Sequence, residues 1–505
     1  MEKNNITNDN YASETNHMLN GDVNDINDES LLAEEFKNKA NLYFKSEDYK
    51  HAIEYYDKAI EKNPNNAVYF ANRSFAHLKM ESYGYALNDA TKAIELDNKY
   101  LKGYYRRAAA NMALGKMKVA LKDFETVTKV CPNDKDAKLK YNACNKIVKA
   151  LAFQKAIFVD VPKKSIVDSV NLSNIEVEKD YKGPTLKEED DYQISLQFVN
   201  EMIQCFKDQK KIHKKFALKI LLDVREIFAK ESTLVDVNIN KDQKLTICGD
   251  IHGQFFDMLH IFDMNGMPSP QNLYLFNGDF VDRGSFSVEV MLTLLAFKAL
   301  YPNSFYLTRG NHETATMNQM YGFEGEVKSK YSQTIYTYFA EIFCLLPLAY
   351  LIQGKVLVMH GGIFSQDDVT LDDIRKIDRN REPPESGLMC ELLWSDPQFP
   401  NGRAPSKRGV GIAFGPDVTH KFLEKNGLDY IIRSHEVKDN GYEVAHDGKC
   451  VTVFSAPNYC DSTGNKGAYI TLTADNLTPK FTTFEAVPHP NVKAMAYANS
   501  LMGFL

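Results

Sequence analysis

The rhythm of apolar positions divides the chain into stretches of different character. Residues 1–30 are rich in Asn and Asp with few large apolar side chains, and such a stretch buries too little surface to offset its ordering entropy, so a disordered tail is expected. From Leu31 the apolar positions fall into helical spacing, and matching the chain against itself gives a repeat of 34 residues. Three columns carry the repeat: Ala52/Ala86/Ala120, Ala59/Ala93/Val127 and Ala40/Ser74/Ala108. Small side chains there let paired helices approach closely, while Tyr43, Tyr56 and Phe124 fill the gaps between hairpins. Pro64 and Pro132 stop the second helices. A further helix from Asp136 to about Phe158 caps the array, and residues 159–190, with Pro162 and Gly183-Pro184, read as a linker. A helical lead-in follows, whose basic run from Lys207 to Lys215 is expected to be a solvated helix face.

Beyond Lys244 short β-rich runs recur, each ending in side chains that can bind metal, which is how an α/β sheet places ligands at its strand ends. Lys244–Cys248 precedes Gly249-Asp250-Ile251-His252-Gly253, and Leu273–Asn277 precedes Gly278-Asp279-Phe280-Val281-Asp282-Arg283-Gly284. Phe305–Thr308 leads to Arg309-Gly310-Asn311-His312-Glu313, Lys355–Met359 to His360-Gly361-Gly362, and Asp429–Ile432 to Arg433-Ser434-His435-Glu436. Gathered at one sheet edge, Asp250, His252, Asp279, Asn311, His360 and His435 form an oxygen and nitrogen donor set without thiolate, suited to Mn, Fe or Zn. Two divalent ions fit better than one, because a carboxylate such as Asp279 can bridge a pair about 3.5–4 Å apart.

The 505 residues exceed one core, which rarely grows beyond roughly 250–300 residues, so two or three domains are expected. A net charge of -7 gives no overall basic footprint, which argues against nucleic acid as a partner. No apolar stretch is long enough to span a bilayer, and the polar N-terminus lacks the apolar core of a secretory signal. The eight cysteines lack zinc or redox spacing and read as reduced thiols, so a cytoplasmic and nuclear location is expected.

The repeat length, small-residue columns and terminal prolines are similar to tetratricopeptide repeats, at about 33–66, 67–100 and 101–134. The strand-end motifs resemble the phosphoprotein phosphatase family of metallophosphoesterases over roughly 190–490. Together the resemblances imply an α/β (α+β) β-sandwich flanked by helices, behind an all-α repeat domain. The expected boundaries are 1–30 for the tail, 31–158 for repeats and cap, 159–190 for the linker, 191–490 for the catalytic domain and 491–505 for a C-terminal regulatory segment.

The phosphatase resemblance implies one metal on Asp250, His252 and Asp279 and a second on Asp279, Asn311, His360 and His435. It implies His312 as general acid oriented by Asp282, with Arg283 and Arg408 gripping phosphate oxygens and Tyr459, Asn311 and His435 lining the same pocket. The implied reaction is hydrolysis of phosphoserine and phosphothreonine in proteins, in one in-line displacement by a hydroxide bridging two metals, with manganese the expected ion in vitro. A metallophosphoesterase acting on non-protein phosphoesters stays open as the alternative. The loop Asp461-Ser462-Thr463-Gly464-Asn465 departs from the acidic-aromatic loop typical of the type 1 and 2A enzymes.

Repeats fused ahead of such a core resemble a regulated branch of the family. That layout implies a carboxylate clamp of Lys37, Asn41, Asn72, Lys102 and Arg106 for the acidic C-terminal tail of a heat shock protein 90-type chaperone. It also implies an autoinhibitory contact from Glu81, joined by Met495–Leu505, together with activation by fatty acids and a monomeric state.

Overall fold

The computed structural model describes residues 23–157, 171–188 and 191–498. The N-terminal part is three antiparallel helical hairpins and a cap: α1 (Val23–Lys45) with α2 (Tyr49–Lys62), α3 (Ala67–Lys79) with α4 (Tyr83–Leu96), α5 (Leu101–Ala113) with α6 (Met117–Val130), then α7 (Lys135–Ile157). Local chemistry starts the helices. The Asp48 carboxylate accepts the His51 N–H at the head of α2, and Asn66 accepts the Val68 N–H at the head of α3. The small-residue columns lie where the helices touch, since every alanine in them and Ser74 is fully buried. Ser74 Oγ also donates to the Ala86 carbonyl at 2.7 Å.

A polar column repeats as well. Arg73 forks onto Asp89 at 2.8 and 2.6 Å, and one repeat later Arg107 forks onto Asp123 at 2.8 Å.

Three expectations about boundaries change. Helix α1 begins at Val23, so the tail does not extend to residue 30, and residues 1–22 lie outside the described chain. Part of the expected linker belongs to the C-terminal domain: Leu172, Ile175, Val177 and Tyr181 pack on its core, and the His213 N–H donates to the Tyr181 hydroxyl at 3.1 Å. The rest of that linker, 159–170 and 189–190, is outside the described residues. The basic run is not one helix face, because Lys207 ends α8 (Leu196–Lys207) and Lys214 begins α9 (Lys214–Lys230).

The C-terminal domain continues with β1 (Leu234–Val237), β2 (Lys244–Cys248), α10 (Phe255–Asn265), β3 (Asn272–Phe276), α11 (Ser287–Leu300) and β4 (Phe305–Leu307). Next come α12 (Ala315–Tyr321), α13 (Phe323–Lys330), α14 (Gln333–Leu345), β5 (Ala349–Ile352) and β6 (Val356–Met359). The helices α15 (Leu371–Arg375), α16 (Leu388–Trp394) and α17 (Pro416–Asn426) share an apolar cluster with Phe414 of a small sheet formed by β7 (Asp396–Pro397), β8 (Arg403–Pro405) and β9 (Ile412–Phe414). The chain then forms β10 (Tyr430–Arg433), β11 (Tyr442–Ala445), β12 (Cys450–Val453), β13 (Gly467–Thr473) and β14 (Asn476–Phe484).

Two larger sheets result, ordered β1-β5-β6-β10-β12-β11 and β14-β13-β2-β3-β4. Their inner faces share one core, with Ile247, Leu275 and Ile470 from one sheet against Val358, Ile432 and Val451 from the other. Helices cover both outer faces, which gives the β-sandwich flanked by helices. The strands β2, β3 and β4 run parallel, as do β6, β10 and β12. Parallel pairing sends the motif-bearing ends of both sheets toward one rim. No helix among the described residues is long and apolar enough to cross a membrane.

Candidate active site

All six expected metal donors meet at that rim and are buried. Asp250 and His252 follow β2, Asp279 follows β3, Asn311 follows β4, His360 follows β6 and His435 follows β10. The His252 Nε2 lies 3.7 Å from Asp250 Oδ2 and 3.6 Å from Asp279 Oδ2. On the other side of Asp279, His360 Nε2 is 3.3 Å from the same oxygen, 2.8 Å from Asn311 Oδ1 and 3.2 Å from His435 Nδ1. Donor atoms of His252, Asp279 and His312 cluster within 4.8 Å, as do those of Asp279, His360 and His435, so Asp279 belongs to both groups.

The backbone is contorted to achieve this convergence. His252, Asp279, Asp282, Arg283 and His435 all have φ between 45° and 70°, a left-handed region that L residues avoid. Glu313 holds the tightest turn, accepting the N–H groups of Asp279 (2.8 Å), Phe280 (2.9 Å) and Gly310 (2.8 Å). A Cβ on Gly310 would stand 2.2 Å from Asp279 Oδ1, so only glycine fits there.

The donor set fits divalent cations. His252 Nδ1 faces the Val281 carbonyl at 2.9 Å and His360 Nδ1 faces the Asn277 carbonyl at 2.8 Å, which aims each Nε2 into the cluster. His435 Nε2 is buried without a hydrogen-bond partner. Burial pushes Asp250 up to about 7 and His252 down to about 3, while burial, reinforced by Arg408, holds His435 well below the histidine range. For His360 burial is outweighed by the Asp279 carboxylate, and the ring rises to about 9. Lone pairs converging on one point repel unless a proton or a cation sits among them, and the buried carboxylates supply the compensating charge. The His and Asp clusters are thus consistent with a binuclear metal site.

Beside the donors, His312 Nδ1 lies 2.8 Å from Asp282 Oδ2. Asp282 is itself pinned by the Asn318 amide at 3.2 Å and the Phe323 N–H at 2.8 Å. Burial would lower His312, but Asp279 and Asp282 outweigh it and raise its pKa. Arg408 donates to Asp396 at 2.6 Å and to the His435 carbonyl at 2.6 Å, and the Tyr459 ring lies 5.1 Å from that of His252. Asp396 is the partner that motif reading missed; its place in Leu392-Leu393-Trp394-Ser395-Asp396-Pro397 gave no sign of what it would meet.

Arg283 points to the repeats. Its guanidinium forks onto the Glu81 carboxylate at 2.7 and 2.6 Å and lies 3.9 Å from the centre of the Tyr321 ring. Around this pair the Tyr321 hydroxyl donates to Tyr83 at 3.3 Å, and the Gly84 N–H donates to the Lys407 carbonyl at 2.7 Å. Met112, Met117 and Phe124 of the repeats share an apolar cluster with Met317, Met320 and Tyr321, edged by Trp394 and Met495. Met495 also donates its N–H to the Arg283 carbonyl at 2.6 Å, and residues 499–505 of the expected regulatory segment lie outside the described chain.

The five expected clamp residues sit on the first helix of each hairpin: Lys37 and Asn41 on α1, Asn72 on α3, Lys102 and Arg106 on α5. Lys37 donates to Glu34 at 2.6 Å and Asn41 accepts the Tyr56 hydroxyl at 2.6 Å. Arg106 lies 3.4 Å from the centre of the Phe75 ring, with burial lowering it to about 10, and Lys102 is exposed.

Comparison with known proteins agrees with this geometry. Family profiles match residues 243–439 (Calcineurin-like phosphoesterase), 141–236 (PPP5 TPR repeat region) and 33–66 (Tetratricopeptide repeat). The chain is 63% identical over 470 residues to serine/threonine-protein phosphatase 5 of Homo sapiens, covering 93% of this chain and 94% of that protein. It is 51% identical to serine/threonine-protein phosphatase 5 of Arabidopsis thaliana over 531 residues, covering 94% and 98%. Among solved structures, a protein serine/threonine phosphatase from Saccharomyces cerevisiae with similarity to human phosphatase PP5 aligns at a TM-score of 0.58 and 47% identity, over 60% of this chain and 100% of that one.

Proposed function

The chain belongs to the serine/threonine-protein phosphatase 5 family and is a protein serine/threonine phosphatase, and from that premise we propose how its residues divide the work. Asp250, His252 and Asp279 would hold one divalent ion, and Asp279, Asn311, His360 and His435 the other, with manganese, iron and zinc the fitting class. Such a pair supplies a nucleophile from water at neutral pH and screens the phosphoryl oxygens.

The polypeptide does the rest. Arg283 and Arg408 bind phosphate oxygens, and Arg408 is held in place for it by Asp396 and the His435 carbonyl. Tyr459, Asn311 and His435 close the pocket around the phosphate. Asp282 accepts from His312 Nδ1, which leaves Nε2 to deliver a proton to the departing Ser or Thr oxygen. The raised pKa of His312 keeps that proton available near neutral pH.

The same reading covers regulation. Glu81 fills the Arg283 fork with a carboxylate where a substrate would place phosphate, so the repeats hold the chain inactive until they move. Lys37, Asn41, Asn72, Lys102 and Arg106 would engage the acidic C-terminal tail of a heat shock protein 90-type chaperone, and a fatty acid would act on the same closed form. The working state is a monomer in cytoplasm and nucleus.

One observation carries the catalytic part: Asp279 belongs to both donor groups while the His312–Asp282 pair stands beside it. The test is phosphate release from a phosphoserine peptide by the full chain with manganese, beside His312→Ala, which should be slower by roughly 10²–10⁴-fold. Equal rates would reject the acid role. Cutting between 158 and 170, ahead of the segment that packs on the core, should raise turnover; unchanged turnover would reject the lock.

A further inference from the structure

We propose that His489, on the segment after β14, is a positioning residue for the phosphate pocket, its doubly protonated ring clamping the Tyr459 loop through Asp461. This segment crosses α10, the loop that follows Arg283 and the loop that carries Tyr459. It is tied to them by the Val487 N–H on Asp257 Oδ1 (2.9 Å), the Ser285 hydroxyl on the Lys493 carbonyl (2.6 Å), the Met495 N–H on the Arg283 carbonyl (2.6 Å) and His489 Nε2 at 3.1 Å from Asp461 Oδ1. The last of these ties alone depends on a proton that can leave near neutral pH.

The loop needs such a tie. Asn458, Cys460 and Asp461 have φ of 42°, 55° and 58°, and none is glycine. Backbone held in that region relaxes unless its surroundings over-determine it. Asn465 secures the base, accepting the Tyr459 N–H at 2.9 Å and, through its carbonyl, the Asn458 N–H at 2.8 Å. The far side of the loop is held by Asp461 on His489.

Both ring nitrogens of His489 face acceptors, Nδ1 toward the Pro490 carbonyl at 2.8 Å and Nε2 toward Asp461. A neutral imidazole has one N–H and can satisfy only one of them, whereas the cation satisfies both. The charged groups facing the ring are Asp461 from the loop and Asp257 from α10, with His260 acting on Asp257 from the same helix. The Cys460 thiol lines the same space, and the Phe286 ring stands edge-on with its centre 6.4 Å away. A cleft of about 390 Å³ bordered by Gln254, Asn458, Asp461 and His489 keeps the pair open to solvent protons. Burial lowers the pKa of His489, but the Pro490 carbonyl, Asp461 and Asp257 raise it above the ordinary value. The clamp is therefore complete below the unfolded histidine value and is lost as pH rises through the raised folded one.

The inference rests on the phosphatase reading only for its kinetic readout. The test compares kcat/KM of the full chain on an aryl phosphate with manganese for wild type, His489→Gln and Asp461→Asn. The wild type should exceed both variants roughly two- to fivefold near pH 6 and converge with them as the ring loses its proton at alkaline pH, the size expected of a half-exposed charge pair. The double variant should lose no more than either single one. A wild-type to variant ratio that stays constant with pH, or a loss that tracks a lowered Tm, means a structural role and overturns the proposal. The second readout needs no activity: Asp461→Asn should lower the pKa of the His489 ring followed by NMR. A ring titration unmoved by Asp461→Asn overturns the clamp whatever the chain hydrolyses.

Discussion

The donor pocket and the repeat interface share Arg283 yet are built on opposite principles. In the pocket, side chains come from the ends of five parallel-running strands, and three of the positions are fixed by buried partners: Val281 for the His252 ring, Asn277 for the His360 ring, Glu313 for the Asp279 turn. At the interface, a half-exposed Glu81 with φ of 57°, one Tyr–Tyr hydrogen bond and two backbone N–H groups on the Lys407 carbonyl do the polar work, over an apolar cluster rich in methionine. Redundant buried bonds make the pocket rigid, whereas few, partly solvated contacts make an interface that can open. On the proposed reading, the reactive geometry stays constant while access to it varies.

Experiments that strip each region should separate the two. The largest effect is expected from chelation, which should abolish hydrolysis and lower Tm, since ligand held at 1,000 times its Kd stabilises by about 4 kcal/mol. Activity surviving exhaustive chelation would break the distinction at its root. Next, Asp282→Asn removes the carboxylate on His312 Nδ1 and should cut kcat by roughly 10²–10⁴-fold. That loss should be the same with and without the repeats, because Asp282 is fully buried and hydrogen-bonds to His312, Asn318 and Phe323 of its own domain. A loss that vanishes once the repeats are removed would place Asp282 in the lock instead.

The sequence made the two regions unequally legible, and for the same reason. Each donor sits in a short motif directly after a β-rich run, so local pattern names it; the expected runs became β2, β3, β4, β6 and β10. What local pattern cannot give is pairing across the chain. Neither Asp396 beneath Arg408 nor β13 inserted between β14 and β2 is announced by its neighbours. The start of α1 at Val23 was hidden by Asn and Asp, poor helix formers, which are overridden where α1 packs on α2 and Lys62 reaches Glu29 at 3.3 Å. Glu81 was visible only through family resemblance, and Gly84 not at all, although its backbone packs directly against that of Gly409.

Gly84 tests the interface without touching a charge. A Cβ there would meet Gly409 N at 2.3 Å and Ser406 O at 2.6 Å, both backbone atoms that cannot swing aside. Gly84→Ala should therefore separate the domains and raise basal turnover about tenfold. It should not weaken the repeats themselves, because alanine favours a helix over glycine by about 1 kcal/mol. Turnover equal to wild type would mean that this close approach does not hold the closed form.

Glu81→Gln should act in the same direction but less, about two- to fivefold, since the carboxylate is 46% exposed and surface ion pairs are weak. Glutamine can still accept one Arg283 N–H, and Tyr83, Gly84 and the methionine cluster remain. Salt separates charge from contact here. Wild-type turnover should climb with ionic strength as the Glu81–Arg283 attraction is screened, while Glu81→Gln should respond much less. Parallel salt curves for the two proteins would assign the lock to the uncharged contacts and leave Arg283 held by its Tyr321 stack rather than by the repeats.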